Sequence, residues 1–187
     1  MIKEKEELVE IPGDILLEVE GNKVKFKFQN KESTREFKAS DIKIEKSGSN
    51  LKIKTSKPRK DNYAIMKSIA SHIKNIIYGL KHGYEYKLEI VYSHFPMNAA
   101  VKEGYVEISN LAGAKKPIKV KIVGDTKVEV KGKEITVRGI DKECAGQTAG
   151  NLERATRIKN KDLRVFQDGI YIVSKPKTFG AIGVEKK

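Results

Sequence analysis

The sequence lacks most of the features that secreted and membrane-spanning proteins carry. Its 187 residues include a single cysteine, Cys144, and no tryptophan, and no run approaches about 18 consecutive apolar residues. One cysteine cannot form a disulfide framework within the chain and is typical of a reducing compartment. Residues 1–10 contain four glutamates and no apolar segment, so they do not resemble a signal peptide. We therefore expect a cytoplasmic protein that does not cross a membrane.

Acidic residues are too few to balance the basic ones. The chain contains 38 Lys and Arg against 25 Asp and Glu, which gives a formal net charge of +13. Such a surplus favours binding to a polyanion, either nucleic acid or an acidic membrane surface. The two halves that meet at Gly83 carry +6 and +7, yet residues 154–187 alone carry +6. We interpret the scattered lysines as a solvated background and the C-terminal cluster as a binding edge.

Motifs for metal binding or catalysis are absent from the sequence. The histidines His72, His82 and His94 have no Cys or acidic partner at the spacing of a zinc site. Cys144 precedes a predicted helix, where a lone cysteine is more often a core residue than a nucleophile. The segment 146–151 lacks the Lys-Ser/Thr of a phosphate-binding loop. We therefore expect no metal, no cofactor and no enzymatic activity.

The chain contains an internal duplication with an offset of 82 to 86 residues. Ile11-Pro12 matches Phe95-Pro96, and the apolar positions of later strands recur at the same distance. Alternating patterns such as 24–28 and 127–131, separated by Gly-containing turns, predict antiparallel strands with one buried face. The fold class predicted is α+β, with two tandem duplicated domains, each a small sheet with one helix packed on a face. We place these domains at residues 1–82 and 83–174, followed by a basic flexible tail at 175–187.

The two predicted helices differ in character. The first, 62–78, has a strong apolar stripe, a cap at Asp61 and a stop at Gly79 or Gly83. The second, 146–158, has a stripe of small residues, and its other face is polar and basic. Gly146 and Gly150 would serve either close approach of a ligand or tight packing on the sheet, and both interpretations stay open. This contrast predicts that the second domain makes the contacts.

Residues 164–173, Arg-Val-Phe-Gln-Asp-Gly-Ile-Tyr-Ile-Val, follow the second helix. The pattern predicts a buried Phe166, a tight turn at Asp168-Gly169, and a closing strand with Tyr171 and Val173 on one face. Together with the polar helix face before it, this segment resembles the archaeal and eukaryotic branch of the large-subunit ribosomal protein family numbered six. The duplicated plan and the linker at 112–117, Ala-Gly-Ala-Lys-Lys-Pro, are also similar to that family. The Lys-Gly-Lys-Gly loop of bacterial members is absent.

The resemblance implies a structural constituent of the large ribosomal subunit, located in the cytoplasm. It implies binding to large-subunit rRNA, chiefly through the second domain, beside the sarcin-ricin loop and near the stalk base. Neighbouring ribosomal proteins and translation factors would be the protein partners, with no membrane involved. The RNA contacts that it implies coincide with the C-terminal charge cluster. They are Gln147, Asn151, Arg154, Arg157, Lys159, Lys161, Arg164, Lys175 and Lys177.

Recognition is expected to follow RNA shape more than base sequence, because the sequence shows no aromatic platform on a sheet face. Tyr84, Tyr86 and Tyr92 alternate on a strand, and we assign them to core or sheet-face packing. Two rival interpretations stay open. A free-standing DNA- or RNA-binding or chromatin protein would share the charge, and an enzyme would need a cleft with perturbed acids or bases.

Overall fold

The computed structural model describes residues 6–29, 31–37, 39, 41–48, 50–55, 57, 59–159, 161–162 and 164–176. The chain divides into two compact units, and the division falls between His82 and Gly83. In the described residues each unit combines antiparallel strands with one α-helix, which confirms the predicted α+β class.

The described part of the first unit contains six strands and helix α1. They are β1 (Glu6–Glu10), β2 (Leu16–Glu20), β3 (Lys23–Phe28), β4 (Lys31–Glu36), β5 (Ile42–Ser47), β6 (Asn50–Thr55) and α1 (Lys60–His82). The strands form two antiparallel sheets in the orders β1-β6-β5 and β2-β3-β4. Every second side chain of β6 is buried, because only one face of the sheet contacts the core.

Helix α1 buries the apolar stripe that the sequence predicted, apart from Ile65, which is 43% exposed. The buried members are Met66, Ile69, Ile73, Ile76, Ile77 and Leu80. The helix begins at Lys60, so Asp61 lies in its first turn and the predicted cap at Asp61 is wrong. Gly79 lies inside the helix, whereas Gly83 follows it with a φ of 72°. That left-handed conformation ends helices at low cost for glycine, which confirms the predicted stop at Gly83.

The described part of the second unit contains seven strands and helix α2. They are β7 (Tyr84–Val91), β8 (Asn98–Lys102), β9 (Tyr105–Ser109), β10 (Ile118–Lys121), β11 (Lys127–Lys131), β12 (Glu134–Gly139), α2 (Lys142–Ala155) and β13 (Gly169–Ser174). The strands form antiparallel sheets in the orders β10-β9-β8 and β11-β12-β7-β13. Tyr84 and Tyr86 of β7 are buried, which confirms their assignment to packing.

The two units repeat one topology, which confirms the duplication. The order β1-β6-β5 of the first unit corresponds to β7-β12-β11 of the second, and β2-β3-β4 corresponds to β8-β9-β10. Each helix follows the equivalent strand, β6 before α1 and β12 before α2. The second unit differs by one strand, since β13 pairs with the remaining edge of β7. This added edge strand directly follows the basic segment of the sequence.

Helix α2 packs on β7, β12 and β13 through small residues, as its stripe predicted. Ala145, Ala149 and Leu152 have no exposed surface and belong to the core of the second unit. The helix begins before the predicted position 146, because the carboxylate of Asp141 accepts a hydrogen bond from the Glu143 N–H at 2.9 Å and caps it. This earlier start places Cys144 in the first helical turn, where the residue is half-buried.

Neither α1 nor α2, the helices of the described ranges, is both long enough and apolar enough to pass through a lipid bilayer.

Candidate nucleic-acid interface

The exposed face of helix α2 carries the first three of the predicted site residues. Gln147, Asn151 and Arg154 follow one another at helical spacing, so they lie on one side of the helix. The amide of Gln147 donates a hydrogen bond to Asn151 Oδ1 at 2.7 Å. Gln147 and Arg154 are exposed, and Asn151 is half-buried. This face can therefore offer two linked amides and one guanidinium group to a ligand.

Two side chains of the last helical turn hold β13 against α2. Thr156, which has no exposed surface, accepts a hydrogen bond from the Ile170 N–H at 2.9 Å and donates to the Leu152 carbonyl at 3.1 Å. The Glu153 carboxylate accepts a hydrogen bond from the Ile172 N–H at 3.3 Å. Sequence reasoning missed both contacts, since they join positions separated by a loop. They fix the end of the helix relative to the edge strand.

Hydrogen bonds to Asp162 and a contact between Lys161 and the Phe166 ring shape the loop between α2 and β13. Asp162 accepts hydrogen bonds from the backbone N–H groups of Arg164, Val165 and Phe166, the first through its side chain. Lys161 Nζ lies 4.4 Å from the centre of the Phe166 ring. Phe166 is 38% exposed, so the prediction that it is buried is wrong. Its ring instead supports a cation at the surface.

The predicted tight turn at Asp168-Gly169 is also wrong. The Asp168 side chain is buried and accepts a hydrogen bond from the Ser93 N–H at 2.8 Å. Gly169 is the first residue of β13 and is buried, because the Tyr171 ring lies over it. A side chain at position 169 would lie 3.4 Å from that ring and 3.5 Å from the Thr156 carbonyl oxygen. The Asp-Gly pair therefore anchors a strand and does not turn the chain.

Tyr171 and Val173 share one face of β13, as predicted, but that face is exposed. Their side chains are 42% and 66% exposed. The Tyr171 hydroxyl donates a hydrogen bond to the Gln167 carbonyl at 3.1 Å, which holds the ring in place. The structure thus presents an accessible aromatic ring on a sheet edge, a feature that sequence reasoning did not find.

A surface pocket of about 490 Å³ lies where α2, the following residues and β13 meet. It brings together Arg154 and Arg157 with the Tyr171 ring, and we call it the Tyr171 pocket. Its lining is Gly150, Glu153, Arg154, Thr156, Arg157, Ile158, Gly169, Ile170 and Tyr171. Arg154 and Arg157 are exposed, whereas Thr156 and Ile170 are buried. The pocket therefore combines two cations and the Glu153 carboxylate with apolar side chains and an aromatic ring.

The two helix glycines have different roles. A Cβ atom at Gly146 would lie 2.9 Å from the Tyr86 hydroxyl, so this glycine permits close packing of α2 on β7. A Cβ atom at Gly150 would meet nothing within 4 Å, and Gly150 lines the Tyr171 pocket. The alternative left open by the sequence is therefore decided separately at each position. Gly146 serves packing, and Gly150 keeps surface space open.

Three basic residues on strands of the second unit have carboxylate partners, which the basic residues of this region lack within the described ranges. On the strands of the second unit, Lys102 pairs with Glu107, and Arg138 pairs with Glu85 at 2.7 Å. The Lys102 ammonium hydrogen-bonds Glu107 and lowers the pKa of that carboxyl, an effect that the partial desolvation of Glu107 opposes. Within the described residues, no such carboxylate partner exists for six cations, which we call the basic edge. They are Arg154, Arg157, Lys159, Lys161, Arg164 and Lys175.

All six cations of the basic edge belong to exposed residues. Arg154 and Arg157 meet in the Tyr171 pocket, and Lys161 lies over Phe166. The described contacts do not join Lys159, Arg164 or Lys175 to that pocket. The remaining site prediction, Lys177, and most of the predicted tail fall outside the described residues. In the described ranges no group of three His, Cys, Asp or Glu residues is arranged to hold a metal ion.

Comparison with known proteins identifies the family. The family model described as ribosomal protein L6 matches residues 95–169. Large ribosomal subunit protein uL6 of Archaeoglobus fulgidus is 46% identical over 176 residues, covering 91% of this chain and 90% of that protein. The protein of the same name from Methanosphaera stadtmanae is 45% identical, with 90% and 92% covered. That of Methanothrix thermoacetophila is 43% identical, with 94% and 99% covered. The chain belongs to the ribosomal protein L6 family.

Proposed function

We propose that this protein is a structural constituent of the large ribosomal subunit and binds large-subunit rRNA through the basic edge and the exposed amides of α2. The relatives that match about nine-tenths of the chain are named as large ribosomal subunit proteins, which supports assembly of this protein into that subunit. The proposed role is to bind and brace RNA, and it includes no chemical step.

The observation that carries the proposal is the absence of carboxylate partners along the basic edge within the described residues. Phosphate oxygens can supply the missing anions, and each phosphate neutralised releases condensed counterions and so strengthens binding. A cation already paired with Glu gains less, because it must first give up its partner. The affinity is therefore expected to reside in the basic edge and much less in the paired strand cations Lys87, Lys102 and Arg138.

Hydrogen bonds between α2, β13 and β7 hold the backbone that carries the basic edge. Thr156 and Glu153 fasten α2 to β13, and Asp168 fastens the start of β13 to Ser93. Side chains held by such a frame present charge in a fixed arrangement, which suits a folded RNA whose phosphates are themselves fixed. The resemblance of the sequence extends the proposal to a location beside the sarcin-ricin loop, near the stalk base, with neighbouring ribosomal proteins and translation factors close by.

The experiment is a competition at about 150 mM salt, where non-specific electrostatic binding is already weak. The full chain is bound to the transcribed large-subunit rRNA of Archaeoglobus fulgidus, the source of a 46% identical relative. Duplex DNA in excess is expected to leave the complex intact, whereas unlabelled rRNA displaces the label. Equal displacement by DNA would favour a free-standing DNA-binding protein. In cells, the protein should sediment with the large subunit and stay there through a moderate salt wash.

A further inference from the structure

The Tyr171 pocket differs from a simple phosphate site because apolar and aromatic side chains line it together with two cations. Ile158 and Ile170 belong to its lining, and so does Gly150, at which a Cβ atom would meet nothing within 4 Å. Arg154 and Arg157 are the exposed members. The volume of about 490 Å³ falls within the range of about 300–1,000 Å³ that is usual for small-molecule pockets. It is suited to one small planar group rather than to a helical segment.

Two polar side chains of the pocket lining, Thr156 and Glu153, already have partners. The Thr156 hydroxyl accepts from the Ile170 N–H and donates to the Leu152 carbonyl. The Glu153 carboxylate accepts from the Ile172 N–H, and its negative charge opposes any phosphate that approaches it. An anion is therefore favoured at the Arg154 and Arg157 guanidinium groups, and a neutral group is favoured beside Glu153.

The Tyr171 ring is held in place before any ligand arrives. Its hydroxyl is bound to the Gln167 carbonyl, and its ring edge contacts the backbone position of Gly169. The ring nevertheless remains 42% exposed. A fixed and accessible aromatic ring beside arginines is the arrangement on which unpaired bases stack, since every base has a π-face.

From this geometry we infer that the Tyr171 pocket receives a single unstacked nucleotide of the large-subunit rRNA. The base lies against Tyr171 and the apolar side chains, and its phosphate lies between Arg154 and Arg157. Stacking itself gives no preference for a particular base. The inference rests on the proposed function, because it specifies how that same surface binds RNA.

The test irradiates the complex of the full chain and the Archaeoglobus fulgidus large-subunit rRNA with short-wavelength ultraviolet light. After nuclease and protease digestion, mass spectrometry is expected to find a mononucleotide adduct on Tyr171. In parallel, Tyr171→Leu should weaken rRNA binding by about 5- to 150-fold, the range found when a stacking residue is removed. Tyr171→Phe keeps the ring and should bind within about threefold of the parent.

Tyr105→Leu is the matched control, because Tyr105 is also a partly exposed tyrosine near a lysine, on the separate β8-β9-β10 sheet. The rRNA affinity of Tyr105→Leu should equal that of the parent. If the parent binds rRNA but Tyr171 carries no adduct, and Tyr171→Leu binds as the parent does, the pocket assignment is overturned and the proposed function stands. If the parent itself fails to bind rRNA, both the proposed function and the pocket assignment fail.

Discussion

The two glycines of helix α2 offer a direct test of how the structure separates packing from binding. Replacing either by alanine adds one methyl group and removes the helix-destabilising flexibility of glycine, a gain of about 0.5–1 kcal/mol. At Gly150 the methyl group meets nothing within 4 Å. We therefore expect Gly150→Ala to raise the free energy of unfolding by about 0.5–1 kcal/mol. The same methyl group narrows the Tyr171 pocket, so rRNA affinity should fall.

At Gly146 the same substitution places a methyl carbon 2.9 Å from the Tyr86 hydroxyl and 3.3 Å from the ring carbon that bears it. Tyr86 is 8% exposed and lies in the core of the second unit, so its ring has little room to move. Overpacking of this kind costs about 1–3 kcal/mol, which exceeds the helical gain. The net expectation for Gly146→Ala is a loss of up to about 2 kcal/mol.

Urea denaturation of both variants measures these changes, and a double-mutant cycle with Tyr86→Phe isolates the clash. Removing the hydroxyl should recover part of the loss in Gly146→Ala but change nothing in Gly150→Ala. The reasoning is refuted if both alanine variants are equally stabilised, or if Gly146→Ala shows no coupling to Tyr86→Phe.

Two further predictions concern the stability of the second unit. Thr156→Val leaves the buried Ile170 N–H without its acceptor and should lower the free energy of unfolding, measured in urea, by about 1–3 kcal/mol. Thr156→Ser keeps the hydroxyl and serves as the control. Equal stabilities of the two variants would contradict the role assigned to Thr156. The hydrogen bond from Lys102 lowers the pKa of Glu107. The ion pair therefore stabilises the fold above the ordinary carboxyl pKa of 4.5, and this stabilisation is lost as the pH falls below that value. Glu107→Gln should therefore lower the thermal midpoint at pH 7 and have progressively less effect toward pH 3; an undiminished effect in acid would argue against the ion pair.

Local patterns in the sequence were sufficient to predict many of the strands and the duplication. Period-two alternation reports a sheet with one buried face, and it placed β3 and β11 within a residue of their observed bounds. The start of α2 could also have been found, because Asp141 is a common capping residue.

Two errors fall at Phe166 and at Asp168-Gly169, around the start of β13, where burial depends on contacts that the local pattern does not show. Phe166 is apolar enough for a core, but its ring lies against Lys161 at the surface. Asp168 is buried because its carboxylate accepts from the distant Ser93 N–H. Nothing local to 164–173 reveals which partner each side chain will find. The charge cluster was predicted from the positions of Lys and Arg along the sequence, whereas the aromatic ring beside it required the fold.

The central claim is that the basic edge binds rRNA because its cations have no carboxylate partners among the residues that the structure describes. The measurement is the salt dependence of rRNA affinity for the triple variant Arg154→Ala, Arg157→Ala and Arg164→Ala. Its control is Lys87→Ala, Lys102→Ala and Arg138→Ala, which removes the same charge from paired residues of the same unit. Each lost phosphate contact reduces the slope of log affinity against log salt by about 0.7–0.9. The account predicts a slope smaller by about 2–3 for the arginine variant and nearly unchanged for the control; equal changes in both would contradict it.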